Sequence, residues 1–175
     1  MRTDSRTKNL SCGRPAPTEA AVQTSSEQIR ACLLRLDEYI KKEKLKKSDA
    51  RAHIVRLIVQ QVRHFTGPEL VAEVLRVHPE IGPATVYRNL PILLESGIIQ
   101  ESLTGPEGQK VYELCEDAHH DHIVCIDCDR IFEFHEESIE KTQDRVARGL
   151  GFSPVSHKHV IYARCEFLTK AEKKK

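Results

Sequence analysis

Several absences narrow the 175-residue chain before any motif is read. It contains no run of about 18 apolar residues, so no transmembrane helix is expected. Residues 1–20 carry Arg2, Arg6, Lys8 and Arg14 but no apolar stretch, which is not the form of a secretory signal. The six cysteines are not spaced like the disulfide framework of a small secreted domain. There is no HExxH pattern, no glycine-rich phosphate loop and no internal repeat. A metal-dependent hydrolase, which would need a substrate pocket and a general base beside its ion, therefore has little sequence support. The expectation is a cytoplasmic protein, away from membranes, of one ordinary domain or two small ones.

Hydrophobic residues make up 39% of the chain and charged residues 30%, enough apolar surface for small cores. The net charge of +1 conceals an asymmetry. Residues 1–104 hold 16 Lys and Arg against 12 Asp and Glu, whereas residues 105–175 hold 11 against 14. A mildly basic front half suits a polyanion. The acidic back half also holds six of the nine histidines, a composition suited to a cation.

Residues 1–24 are rich in Ser, Thr, Pro and Arg without apolar periodicity and are expected to be disordered. Ser25-Ser-Glu-Gln28 fits a capping box opening a helix with Ile29, Leu33, Leu36 and Ile40 on one stripe. Ser48 is a candidate cap for a second helix, carrying Ile54, Leu57, Ile58 and Val62. Thr66-Gly-Pro-Glu69 is another capping box, for a short helix over residues 69–77. Gly82-Pro83 starts a helix over 84–95 that Ser96-Gly97 stops. Residues 98–103 and 110–114, about the turn Thr104-Gly-Pro-Glu-Gly108, read as a hairpin. Three helices and a hairpin are the layout of a winged helix, whose last helix enters the DNA major groove.

Beyond residue 115 the pattern becomes strands over 120–127 and 130–135, a helix over 137–148 and a strand over 157–165. This unit of about 60 residues would be marginal alone, and dimerisation is an obvious way to complete its core. The fold class is thus α+β: a winged-helix DNA-binding domain over 25–108, then a small α/β dimerisation domain over 109–170. The Lys-rich end at 173–175 is expected to fray.

His119-His120-Asp121-His122 concentrates the chemistry. Side chains alternate faces in a strand, so His120 and His122 point one way and His119 and Asp121 the other. Four adjacent ligand-type residues then become halves of two sites. On the next strand Glu133 faces opposite to Phe132 and Phe134, while Glu113 precedes the cluster and Glu140 and His157 follow it. Mixed His and carboxylate ligands suit Fe(2+), Mn(2+), Zn(2+) or Ni(2+), and chemistry alone does not choose among them. His53, His78, His135 and His159 read as solitary surface histidines. Cys125-x-x-Cys128 is a half-site for a structural zinc. Cys165 would supply a third thiolate, but Leu168 stands where a fourth is wanted. Cys12 and Cys32 read as bystanders.

Ala84-Thr-Val-Tyr-Arg-Asn-Leu90, Tyr112-Glu113, His119-His-Asp-His122, Cys125-x-x-Cys128, Phe132-Glu-Phe134 and His157, in this order, resemble the ferric uptake regulator family from about Lys46 to Cys165. The resemblance implies a homodimeric transcription regulator whose metal loading enables operator binding, usually to repress metal-uptake or stress genes. It implies a regulatory site of His64, Glu113, His120, His122 and Glu133, and a second site of His119, Asp121, Glu140 and His157. Strand alternation had sorted the four cluster residues into the same two pairs. For DNA it implies Tyr87 against thymine methyls and Arg88 against a phosphate or base edge, with Thr85 on the same helix and Lys46 and Arg51 at basic positions. The partner would be double-stranded, pseudo-palindromic operator DNA, with a dimer of dimers left open.

The chain departs from the family pattern at Ala50, where a proline is usual, at Asp129, where a glycine is usual, and at the incomplete last cysteine pair. Peroxide-sensing relatives carry Asp where this chain has Glu133, which disfavours that reading. Zinc-sensing relatives place a cysteine shortly before the His pair, and Cys115 keeps that alternative open. Iron is favoured over zinc. A rival of another class is a zinc-knuckle adaptor that binds protein rather than DNA, and it would lack a salt-dependent DNA affinity.

Overall fold

The computed structural model of the protein describes residues 26–61, 64–105, 107–115 and 119–165. The expectations for residues 1–24, Cys12, the Ser25 cap, Val62, Leu168 and the Lys-rich end lie outside these. The chain divides into two units, with the boundary at Glu116 and Asp117.

The first unit begins with α1 (Ser26–Lys42), which buries Leu36 and Ile40 at helical spacing. It ends in a left-handed residue, Lys44 (φ 54°), as the Leu45 amide reaches back to the Ile40 carbonyl at 2.9 Å. That is the Schellman arrangement with lysine where glycine is usual. Helix α2 (Asp49–Gln61) follows Ser48, whose Oγ accepts from the Arg51 amide at 3.4 Å. The strand β1 (His64–Thr66) was not anticipated. Three residues are too few to show a period, and the pairing partner lies far away in sequence.

Thr66 caps α3 (Gly67–Val77) with both halves of the capping box made: its hydroxyl accepts from the Glu69 amide, and the Glu69 carboxylate accepts from the Thr66 amide. Helix α4 (Pro83–Glu95) follows Gly82 and continues through Pro91, which has no amide to bond the Tyr87 carbonyl. Gly97 (φ 65°) takes the left-handed turn after it. The hairpin is β2 (Ile99–Thr104) and β3 (Lys110–Leu114), and β3 is the centre of an antiparallel sheet ordered β1-β3-β2. Because β3 pairs on both sides within this sheet, the boundary falls after it rather than at the expected 108–109. The core is continuous, with Ile54, Ile58, Phe65, Leu70, Leu93 and Ile98 among its most buried members.

The second unit holds β4 (Asp121–Cys125), β5 (Ile131–Phe134), α5 (Glu137–Gly149) and β6 (Val160–Ala163). The sheet order is β5-β4-β6, with β4 antiparallel to β5 and parallel to β6. Helix α5 makes the crossover that a parallel pair requires. No residue of α5 is buried, and Val146, Leu150, Phe152 and Val155 are exposed on it and on the following loop. No described helix is long and apolar enough to cross a membrane.

Candidate metal centres and nucleic-acid surface

In the first unit, β1 and β3 place His64 directly opposite Glu113. His64 Nε2 lies 2.9 Å from Glu113 Oε2, while Gln100 Nε2 donates to Glu113 Oε1 at 2.9 Å. Glu113 is 5% exposed, so its charge is held in place by these two partners rather than by water. Just past β3, Cys115 is half-buried, and burial is the main cause pushing its thiol above its ordinary range.

In the second unit, His120 and His122 bring their rings together at a centroid distance of 4.9 Å, edge to face. His122 is buried, and it stands opposite Glu133 in the β4–β5 register, so the two share a sheet face. The alternation expected of the histidine cluster holds, although the strand begins only at Asp121.

The opposite face carries a more closed set. His119, Asp121, Glu140 and His157 each offer a ligand atom, all within 4.8 Å of one another. His119 Nε2 is 3.3 Å from Asp121 Oδ1 and 3.6 Å from Glu140 Oε1, and His157 Nε2 is 3.2 Å from Glu140 Oε2. Asp121 is 1% exposed, and neither of its carboxylate oxygens receives a hydrogen bond among the described residues. Glu140 Oε1, His157 Nε2 and His159 Nδ1 are buried and unbonded in the same way. Orphaned ligand atoms converging around a buried carboxylate fit a bound cation, which would satisfy all of them at once.

His159, expected to be a solitary surface residue, points its Nδ1 at Asp121 Oδ2 from 3.6 Å. Its spacing of two from His157 was the available signal, by the alternation already used for His120 and His122. His53 and His78 are likewise not solitary. Their rings pack at 4.4 Å, and with Glu80 they form another set of converging ligand atoms. Cys125, Cys128 and Cys165 share one small cluster with Phe132, but they are not among the sets whose ligand atoms converge so tightly. Asp129, after the second knuckle cysteine, sits at φ 57°, the left-handed backbone that glycine adopts without cost.

On α4, Tyr87 is 47% exposed, and its ring lies over the backbone of Gly67. A Cβ there would come within 2.9 Å of Tyr87 Cε1. Arg88 is exposed and donates to the Ala84 carbonyl at 3.0 Å, and Thr85 lies a turn nearer the helix start. Lys46 is exposed in the segment before α2. Arg51 departs from the expected DNA-facing cation. It is 9% exposed, its Nε donates to Asn89 Oδ1 at 2.6 Å and its Nη1 to the Lys46 carbonyl at 3.2 Å. Its α2 position points it inward, so it braces α4 from behind instead of presenting charge to solvent.

A winged helix followed by a mixed sheet with a buried His and carboxylate set defines the class of metal-responsive winged-helix regulators. Residues 42–162 match the Ferric uptake regulator family, and the chain belongs to it. It is 34% identical over 127 residues to the ferric uptake regulation protein of Cupriavidus metallidurans, covering 69% of this chain and 88% of that one. The Helicobacter pylori ferric uptake regulator, whose structure is described as having three functional metal binding sites, superposes with a TM-score of 0.72. It shares 28% identity, over 79% of this chain and 91% of that one. The Francisella tularensis regulator solved with iron (TM-score 0.63, 30% identity) covers 70% and 92%, and a zinc-bound manganese uptake regulator (0.60, 28%) covers 74% and 98%. The family consists of transcription regulators, not enzymes, and its structures hold iron, manganese or zinc.

Proposed function

We propose that this protein is an Fe(II)-responsive repressor of metal-uptake genes, acting in the cytoplasm as a homodimer on pseudo-palindromic operator DNA. The observation that supports the reading is that each unit places ligand-type residues of the implied regulatory site on its own sheet. His64 and Glu113 belong to the winged helix, and His120, His122 and Glu133 to the second unit. The family resemblance implies that these residues share one ion, which would couple metal loading to DNA binding. Two recognition helices in a dimer would then match two half-sites. A bound divalent ion supplies the positive charge that brings the carboxylates and imidazoles together. His119, Asp121, Glu140 and His157 form the second site, supported by the orphaned oxygens of Asp121. Cys125, Cys128 and Cys165 are assigned to structural zinc, with Phe132 packed beside them.

The exposed apolar residues on α5 and the following loop support the dimer, since a second copy would remove them from water. Tyr87, Arg88 and Thr85 read the major groove, and Lys46, at an N-terminal basic position, enters the minor groove. The His and carboxylate set does not choose among divalent ions by itself; iron is the first reading by likeness to the ferric uptake regulation proteins. Zinc is the second reading, carried by Cys115 two residues after Glu113.

The test is anaerobic titration of chelator-stripped protein with Fe(2+), Mn(2+) or Zn(2+), following the anisotropy of labelled promoter DNA. Affinity should rise with Fe(2+) at low micromolar levels, and the His120→Ala/His122→Ala variant should lose that rise while remaining dimeric. Equally tight binding without metal, or an unchanged metal response in the variant, would sink the reading.

A further inference from the structure

We propose that His53, His78 and Glu80 form an additional divalent-cation site, of the borderline type that zinc represents, lying wholly inside the winged-helix unit. It is independent of the sites assigned above, and the family resemblance assigns none of these three residues to a metal.

The geometry is unlike that of a surface histidine pair. His53 Nδ1 lies 3.3 Å from His78 Nδ1, and His78 Nδ1 lies 3.2 Å from Glu80 Oε1. The two rings pack at 4.4 Å with a 39° tilt, and both are only partly exposed. A proton on His78 Nδ1 donated to Glu80 leaves none for His53, and a proton on His53 Nδ1 donated to His78 leaves the Glu80 carboxylate facing a lone pair, so no one tautomer satisfies both contacts. At 3.3 and 3.2 Å these spacings sit at the long end of the hydrogen-bond range of about 2.7–3.2 Å. They match the edge of a tetrahedron about an ion with bonds of roughly 2.0–2.1 Å, which is about 3.3 Å. Two imidazoles and a carboxylate are a ligand set that zinc accepts, leaving one position for water. Glu80 is largely exposed, so that position faces solvent and an ion can enter without opening the core.

The location gives the site a consequence. His53 stands on α2, His78 caps the end of α3, and Glu80 lies in the turn before α4. The Ile81 amide donates to the His78 carbonyl at 2.9 Å, and Gly82 then begins the helix that carries Tyr87 and Arg88. Coordination would tie α2 to the turn between α3 and α4 and fix how the recognition helix leaves it.

The experiment counts zinc equivalents bound by the chelator-stripped full chain, in competition with a chromophoric chelator, and compares Glu80→Ala and His53→Gln. Imidazole 15N spectra of the parent are recorded through the same titration. The parent should bind one equivalent more than either variant. Loss of Glu80 should weaken that equivalent by more than the roughly 10–100-fold typical of an outer-sphere partner. The Nδ1 resonances of His53 and His78 should shift together as it fills. Glu80 is an exposed turn residue, so Glu80→Ala keeps the fold, checked by an unchanged melting temperature. Equal zinc counts in parent and Glu80→Ala, or Nδ1 resonances unmoved by zinc, would overturn the site. His120→Ala/His122→Ala should keep this equivalent, so failure here is distinguishable from failure of the regulatory site.

Discussion

The two units bury their apolar residues very differently. In the first, three helices and a three-stranded sheet share one core, with Ile58, Leu70, Val74, Val86, Leu93 and Ile98 fully enclosed. In the second, the buried cluster consists of Cys125 and Cys165 with Cys128 and Phe132 against them, and α5 buries nothing. The buried positions of its central strand include Asp121 and His122, both ligand types. The first unit is stabilised by apolar burial. The second places ligand-type side chains at buried positions, and on the proposed reading a metal and a partner copy would supply what its core lacks.

The largest test of this contrast is paired truncation. Leu93→Ala should cost about 2–5 kcal/mol in denaturant unfolding of the first unit, the usual loss for a fully buried leucine. Leu150→Ala should barely change unfolding at high protein concentration, yet raise the dimer dissociation constant in analytical ultracentrifugation. Equal unfolding losses would erase the distinction. Next in size is Asp121→Asn. Metal at 100 times the dissociation constant of this site should stabilise the parent by about 2.7 kcal/mol through this site alone, as a ligand of the native state must. The variant should lose the share contributed by this site and keep that of the other sites, while its metal-free melting temperature does not fall, because neither oxygen of Asp121 receives a hydrogen bond among the described residues.

Arg51→Ala should cost about 1–3 kcal/mol by leaving Asn89 Oδ1 buried without its donor. DNA affinity should fall through misplacement of α4 while the salt dependence of binding stays the same. A direct phosphate contact would instead lower the salt slope by about one. The smallest effect concerns Tyr39 of α1, whose phenol donates to the Glu95 carboxylate at the end of α4. That hydrogen bond, before desolvation and the nearby negative charge, pushes the Tyr39 pKa up to about 12. A raised folded-state value means that the stabilisation is fully present below the ordinary tyrosine pKa of about 10 and is lost as pH rises towards 12. Tyrosinate absorbance should show one late-titrating phenol among the four tyrosines, and Glu95→Gln should return it towards the others.

Much of this arrangement was legible in the sequence because its signals are local. The capping box at Thr66, the turns at Gly82 and Gly97, and the hairpin turn all act through residues three or four apart. Alternation through His119–His122 sorted the cluster onto two faces without any knowledge of the fold. What escaped depends on distant partners. The short strand at His64 exists because β3 accepts it. Arg51 is buried because Asn89 faces it from α4, and its charge alone suggested solvent. His53 and His78 are 25 residues apart, and only the packing of α2 against the end of α3 brings them together. Asp129 was visible as a departure from a family glycine, whereas its left-handed backbone was not.

The central claim is that one ion couples the winged helix to the second unit, and linkage tests it most directly. The dissociation constant for Fe(2+) should be measured anaerobically on the dimer with and without saturating operator DNA. If His64 and Glu113 share an ion with His120 and His122, operator DNA must tighten the metal by the factor with which metal tightens DNA, typically about 5–150-fold. A metal affinity indifferent to operator DNA would contradict the coupling and leave the histidine sets as structural features of separate units.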